Sequence, residues 1–247
     1  MKNGLLDALS PEDQLLIRPF LKSVELSLKQ TLYEVRQPIE FVYFFQSGLL
    51  SEVATANGLG KLEVGCIGRE GLSGHAVLLG VETSPHFAFM QVTGTALRIP
   101  AEDLRRLMDH SATLRIVLLR FIHVFMVQIA SSALSDGRFT IVQRLARWLL
   151  MCHDRVGNPM PLTHDFLALM LGVRRPGVTD TIHILEGEHL IKATRGCVEV
   201  RDRQGLIALA AGSYGLPEAE YRRLINPAYF PDAAEISTLS HLRNLAH

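Results

Sequence analysis

The chain has no excess of charge of either sign: 25 Lys and Arg balance 25 Asp and Glu over 247 residues. A global pull toward a polyanion is therefore excluded, and any attraction of that kind must be local. Cysteine is scarce. Cys66, Cys152 and Cys197 are widely separated, show no metal-ligand spacing and form no even disulfide set, which fits a reducing cytoplasm and predicts no metal and no cofactor. There is no nucleophile elbow, phosphate-binding loop or HExxH, so the chain is not expected to be an enzyme. Asp7, Glu12 and Asp13 cluster near the N-terminus, but a helix start accounts for them. The opening MKNGLLDALSPEDQ has no long apolar run and no cleavage-like site, against a signal peptide. The apolar stretch Leu114–Ala130 is interrupted by Arg115, Arg120, His123 and Gln128, and a charge near a bilayer centre is costly, so no membrane span is expected.

What the chain does have is concentrated in Leu162–Glu186. Thr163 is a good N-cap, its hydroxyl able to accept from the free N–H groups of the next turn. Phe166, Leu167, Leu169, Met170 and Leu171 then give an apolar helix that stops at Gly172, where a left-handed turn is easily made. A second helix opens near Arg174–Pro176, because proline suits a first turn whose N–H has no partner. Val178, Thr181, Ile182 and Leu185 form its inward stripe, leaving Arg174, Arg175, Gly177, Thr179 and Asp180 near the exposed start. Polar tips, an apolar back and a small residue at the tip suit a helix that reads DNA. Ile191–Ala193 and Cys197–Val200 follow as β-prone runs around Thr194-Arg195-Gly196, a hairpin signal. Helix, turn, helix and hairpin make a winged helix, with Lys192, Arg195, Arg201 and Arg203 on or beside the wing. From Arg138 to Arg203 ten Lys and Arg stand against seven Asp and Glu, a surplus of three.

The spacing L-T-x-x-x-L-A-x-x-L-G-V-x-R, here Leu162, Thr163, Leu167, Ala168, Leu171, Gly172, Val173 and Arg175, resembles the C-terminal DNA-binding domain of the Crp/Fnr family of bacterial transcription regulators. The order of segments agrees over nearly the whole chain, apart from the last twenty or so residues. The fold expected is α+β: an N-terminal antiparallel β-roll of the cyclic-nucleotide-binding kind (1–103), a dimerisation helix (104–136), a winged helix-turn-helix (137–225) and a tail without assigned role (226–247).

The segments themselves support that order. Leu5–Leu21 reads as a helical lead-in started by Ser10-Pro11-Glu12-Asp13. Phe41–Phe45, Gly48–Ala54, Leu62–Ile67, Phe87–Val92 and Thr95–Ile99 are short strand-like runs broken by turns such as Ala56-Asn57-Gly58, as in an antiparallel roll. Phe44-Phe45-Gln46-Ser47-Gly48 stands in place of the family's Y-x-x-x-x-G strand. Ala101–Leu134 is predicted helical throughout. Leu107, Leu114, Leu118, Phe121 and Phe125 follow the three–four step of a coiled-coil seam and are assigned to a dimer interface, while Ile116, Leu119, Ile122 and Ile129 face the helix's own domain. Asp136-Gly137 is the expected hinge, Thr140–His153 the next helix with Trp148 in its core, and Leu206–Ala211 and Glu218–Ile225 further helices.

For the DNA-binding role implied by the resemblance, Arg175 is assigned to base reading, since a guanidinium can engage guanine O6 and N7 together. Arg174 does the same or holds a phosphate. Thr163 and His164, at the first helix's start, are assigned to phosphate. Thr179 and Asp180 lie one turn into the second helix, where Asp180 can accept from a cytosine amine. Pro176 stands where many relatives carry a base-reading glutamate, and Asp180 where some carry arginine, so their target sequence does not transfer. The stretch matching the family's phosphate cassette is Gly71-Leu72-Ser73-Gly74-His75, followed by Thr83-Ser84-Pro85-His86. Gly71, Ser73, Gly74, His75 and Ser84 are the candidate effector residues. Histidine replaces the expected glutamate, and no arginine lies between Arg69 and Arg98, so cyclic-nucleotide binding is disfavoured. The family's iron–sulfur cysteine set is absent, and the effector stays open. The function expected is that of a cytoplasmic homodimer on a palindromic operator, with double-stranded DNA, itself and RNA polymerase as partners. The alternatives are a ligand-binding module acting through a protein partner without specific DNA binding, and a ligand-binding or catalytic β-barrel.

Overall fold

A computed structural model describes residues 2–56 and 60–230. The chain opens with α1 (Gly4–Asp7) and α2 (Pro11–Ile17), followed by a 3-10 turn. Asn3 caps α1 by accepting from the Leu5 and Leu6 amides, and its own amide donates to the Phe45 and Gly71 carbonyls, fixing the lead-in to the next domain. Eight strands follow: β1 (Lys22–Leu26), β2 (Thr31–Tyr33), β3 (Phe41–Phe45), β4 (Leu49–Ala56), β5 (Gly60–Ile67), β6 (Leu72–Ser73), β7 (Phe87–Val92) and β8 (Gly94–Pro100). They form two antiparallel sheets ordered β1-β8-β3-β6 and β2-β7-β4-β5, a roll in which the runs expected as strands all take part. The roll core is filled by Phe44, Phe45, Leu50, Ile67, Leu72 and Met90. Between β4 and β5 the register slips, Glu52 pairing with Gly65 but Val53 with Glu63. The expected turn at Asn57-Gly58 and the chain from 231 onward lie outside the described residues.

The predicted single helix over Ala101–Leu134 is two: α3 (Ala101–His110) and α4 (Ala112–Arg138). Ser111 breaks it in an extended conformation, caps α4 by accepting from the Leu114 amide, and donates to Asp13 on α2. That local hydrogen bonding competes with helix continuation.

The seam assigned to a dimer partner also needs correction. Leu107 lies on α3, and Leu114, Leu118, Phe121 and Phe125 are buried against the chain's own roll, none more than 5% exposed. The reason is backbone clearance. A Cβ on Gly71 would stand 2.4 Å from Phe121 and one on Gly65 2.6 Å from Phe125, so two glycines let the aromatic rings seat on the roll. Ile116 and Leu119, assigned inward, are exposed, whereas Ile122 is buried and Ile129 half-buried.

The expected hinge at Asp136-Gly137 is helical, and Asp136 pairs with Arg144. The chain turns instead at Phe139-Thr140, where Thr140 and Gln143 form a reciprocal capping box that starts α5 (Ile141–Val156). Then come α6 (His164–Leu171), α7 (Arg175–Gly187), the hairpin β9 (Ile191–Thr194) and β10 (Cys197–Val200), α8 (Arg203–Leu209) and α9 (Leu216–Leu224). A second core gathers Trp148, Leu149, Leu167, Val178, Ile182, Leu185 and Val198 around Leu49, Cys66 and Val92 of the roll. The helical domain is thus docked on the sheet that contains β4 and β5. α9 returns to lie along α4, with the Tyr221 hydroxyl donating to the Glu70 carbonyl.

Phe121→Ala is expected to cost about 3–5 kcal/mol in urea-induced unfolding, the loss typical of an aromatic removed from a core. Gly71→Ala should also destabilise, because its new methyl group collides with that ring.

Candidate nucleic-acid interface

The Thr163 hydroxyl accepts from the Phe166 amide and starts α6, which ends at Gly172 with φ 60°. That left-handed residue is what glycine adopts without strain, and it reverses the chain within three residues into α7. Arg174 is the extended N-cap residue and Pro176 lies in the first turn of α7. Val178, Thr181, Ile182 and Leu185 turn inward, as the spacing predicts. Arg174, Arg175, Pro176, Asp180 and His183 are left exposed, with Gly177 and Thr179 half-buried. A Cβ on Gly177 would meet nothing within 4 Å, so that side of the tip is open to an approaching surface.

Arg175 lies 3.7 Å from Asp165, both about two-thirds or more exposed (67% and 78%). A solvated pair of that kind is worth little and leaves the guanidinium free to move to another acceptor. His164, assigned to phosphate, contacts Thr179 instead: its Nδ1 lies 3.1 Å from the Thr179 Oγ1, joining the starts of the two helices. The two residues therefore hold α6 and α7 together.

The wing is a tight hairpin closed by Arg195 and Gly196, the latter at φ 74°. Glu186 of α7 accepts from the Ala193 amide at 2.8 Å, so the wing is hung from α7 itself. Lys192 and Arg195 are exposed on it. Arg203 is not beside the wing in any useful sense. It donates to Asp154 at 2.6 Å and to Tyr214 at 2.8 Å, which commits it to the domain interior. Arg201 pairs with Glu199 at 3.0 Å. His183 was not found from sequence because it stands two turns into α7, beyond the polar tip, yet it shares the Arg175–Thr179 face by four-residue spacing.

Residues 143–209 match the family of Crp-like helix-turn-helix domains. The stretch from α5 to α8 is therefore a Crp-like helix-turn-helix domain. The chain's described architecture is shared by a transcriptional regulator of the Crp/Fnr family from Eubacterium rectale (17% identity, TM-score 0.66, covering 85% of this chain and 99% of that one). FixK2 from Bradyrhizobium japonicum is similar at 16% identity and TM-score 0.65, over 76% of this chain and 96% of that one. So is the c-di-GMP-responsive global regulator CLP from Xanthomonas campestris, at 14% identity and TM-score 0.64, over 77% and 99%. At these identities the structures establish a common fold and nothing of ligand or target. No curated protein matches the chain. The Crp-like match stops at residue 209, so α9 lies outside it.

Within the roll the candidate effector residues serve different local purposes. Gly71 admits Phe121, Gly74 takes φ 81° before a 3-10 turn, and the Ser84 hydroxyl accepts from the His86 amide. Ser73 is fully buried and its hydroxyl has no partner. The His75 ring is tilted at 51° to Phe125 and its Nδ1 lies 3.4 Å from Glu52, which accepts from the Tyr33 hydroxyl at 3.0 Å. The His75–Glu52 contact is not an ion pair. Burial, helped by His86, pushes His75 down to about 4, and burial raises Glu52 to about 7 despite the Tyr33 hydrogen bond. Neither of the two junction cavities touches any of the five residues. Glu52 was invisible in the sequence because a single acid in a strand carries no motif.

The junction between roll and helical domain holds a second buried acid. Glu63 accepts from the Trp148 indole N–H at 2.9 Å, while its other oxygen has no partner. Burial raises it to about 7 from 4.5, against the opposing pull of Ser51, Trp148, Arg155 and Arg147. A carboxyl with a raised folded pKa stabilises fully below its unfolded value, and that contribution is lost as pH rises through the folded one. Wild type should therefore lose stability relative to Glu63→Gln between pH 4.5 and about 7, by at most about 1.4 kcal/mol per pH unit. Denaturant unfolding of both proteins across that window checks the slope.

Proposed function

We propose that the chain is a cytoplasmic homodimer that binds a palindromic operator and alters promoter use by RNA polymerase. The observation that carries this reading is the exposed tip of α7, where Arg174, Arg175, Gly177 and Asp180 face outward beside Lys192 and Arg195 of the wing. Arg175 reads a guanine, Arg174 a base or phosphate, and Asp180 a cytosine amine, while Thr163 and the wing cations meet the backbone. His164 and Thr179 support the interface by fixing one helix on the other.

Dimerisation is assigned to the face of α4 that the roll leaves uncovered. Ile116, Leu119, His123, Met126, Ala130, Ala133 and Gly137 are all exposed and alternate by three and four residues. That is the seam of two paired helices. α4 is also long and apolar enough to cross a membrane by length and composition alone; a partner helix accounts for the same apolar face once the opposite face is spent on the roll. A two-fold pair would set two α7 tips on half-sites about one DNA turn apart.

Selection from a random duplex pool tests the reading. A palindrome should be recovered, with affinity falling steeply as salt rises. Arg175→Ala should cost about 1–3 kcal/mol and relax discrimination at one position of each half-site. Retention without any sequence preference, in the presence of cell extract as well as without it, would overturn it in favour of a module that acts through a protein partner. For the dimer face, Met126→Glu is expected to yield monomer by light scattering and to abolish palindrome binding. An unchanged dimer in both Met126→Glu and Leu119→Glu would place the interface elsewhere.

A further inference from the structure

The stretch from Ser213 to Phe230 lies beyond the Crp-like match, which ends at residue 209. It starts on the helical domain: the Ser213 carbonyl accepts from Arg147 of α5 at 3.0 Å, and the Tyr214 hydroxyl donates to Asp154 of the same helix. It ends on the roll. The Tyr221 hydroxyl of α9 donates to the Glu70 carbonyl at 2.8 Å, and the Tyr229 ring lies 5.8 Å from the Arg69 guanidinium carbon. A Cβ on Gly4 would stand 2.5 Å from the Tyr221 oxygen, so α1 makes room for the same hydroxyl. Between these ends α9 crosses α4, where Arg120 donates to the Leu224 carbonyl at 3.2 Å and His123 lies 3.4 Å from Glu220. One short segment thus bridges both domains and the long helix between them.

The grip of this segment is incomplete. Glu218 is 3% exposed, and neither oxygen of its carboxyl meets a hydrogen-bond donor of another described residue. Glu218 lines a cavity of about 10 Å³, room for roughly one water, walled also by Pro217, Tyr221 and Phe230 of the segment and by Phe121 and Gln128 of α4. Burial, and then Asp154, push the Glu218 carboxyl up, against the opposing pull of Arg155 and Arg147. An acid buried without a donor opposes the docking that buries it. A helix of nine residues, moreover, does not persist in water once its packing is lost.

We propose that residues 213–230 are a releasable strap between the two domains, and that its opening lets the helical domain shift on the roll. The strap opens as a unit and leaves both cores intact, as local openings below the free energy of global unfolding do. Tyr221 grips the carbonyl of Glu70, whose side chain holds Arg155 of α5. Gly71 and Ser73, of the candidate effector set, follow directly in the chain. A movement of that turn therefore reaches the strap and α5 together, and α7 moves with α5 because the two share one core. The consequence for DNA affinity rests on the function proposed above; the opening itself does not.

Native-state hydrogen exchange on the full-length protein, read by mass spectrometry, tests the strap. The amides of α9 should exchange faster than those of β3, a central strand of the roll. Tyr221→Phe keeps the ring and removes one hydrogen bond, so exchange in α9 should rise roughly fivefold. Glu218→Gln, at mildly alkaline pH, removes the buried charge and should slow exchange in α9. β3 should be unchanged in both variants. The strap is overturned if α9 exchanges as slowly as β3, if either variant changes α9 and β3 by the same factor, or if Glu218→Gln speeds α9. On a palindrome recovered by the selection above, the two variants should shift affinity in opposite directions from wild type. Equal affinities beside shifted exchange rates would overturn the link to α7. If the wild type selects no palindrome, the proposed function fails and the exchange rates still decide the strap.

Discussion

The arrangement of the two domains depends on one buried ion pair. Arg155 of α5 donates to Glu70 of the roll at 2.7 Å, and neither side chain is more than 4% exposed. Two such charges are expensive to take out of water, and the pair is tolerable only with its remaining hydrogen-bonding capacity filled. It is filled from several directions. The Gly68 amide donates to both Glu70 oxygens, Arg155 also donates to the Met151 carbonyl, and the Phe230 ring lies 5.8 Å from the guanidinium carbon. Breaking one side would strand the other charge. The pair therefore contributes more to the choice of pose than to net stability, since an apolar contact could hold the surfaces together without fixing their angle.

That angle is inherited by the exposed tip of α7. α5 is rigidly capped at Thr140 and shares one core with Leu167, Val178 and Ile182, so α6 and α7 follow it as a body. Phe166 of α6 stacks on Phe89 of the roll at 6.1 Å, and Trp148 is held by Glu63. On the opposite side Phe121 and Phe125 seat α4 over Gly71 and Gly65. One segment, Gly65–Gly71, thus touches α4, α5 and α9. Whatever perturbs it acts on α6 and α7 through packed contacts and needs no separate relay.

Much of this was legible in the sequence, and the failures share a cause. The helix-turn-helix was readable because its signals are local: a cap at Thr163, a left-handed glycine at 172, a proline at 176. β3 and β7 were readable because Phe41–Phe45 and Phe87–Val92 are compact apolar runs. β1 was missed because Lys22–Leu26 is an edge strand with only Leu26 buried, and β2 because it has three residues. Of the two faces of α4, the aromatic one was assigned to a partner for a deeper reason. Both carry apolar residues at three–four spacing, and period alone says that a face is covered without saying by what. Only the clearance at Gly65 and Gly71, a property of the tertiary structure, assigns the aromatic face to the roll. Glu52 and Glu63 escaped similarly, since each bonds a residue far away in sequence.

The neutral composition, which first counted against a DNA binder, takes on a different meaning once the charges are placed. Of the ten basic residues from Arg138 to Arg203, Arg144, Arg147, Arg155 and Arg203 are tied to Asp136, Ser213, Glu70 and Asp154. They contribute to holding the domain, and little of their charge is available to a phosphate. The cations left at the interface are few, and Asp165 and Asp180 stand among them. Non-specific affinity for DNA comes almost wholly from phosphate neutralisation, so a surface this sparse holds random sequence weakly. Asp180 adds a penalty wherever no donor meets it, because a desolvated carboxylate facing acceptors is repelled. Discrimination is the difference between the right site and all others. In the proposed complex, a modest field with an acid at the tip of α7 would widen that difference by weakening the wrong complexes, and two copies on one two-fold axis would supply the affinity that each tip gives up.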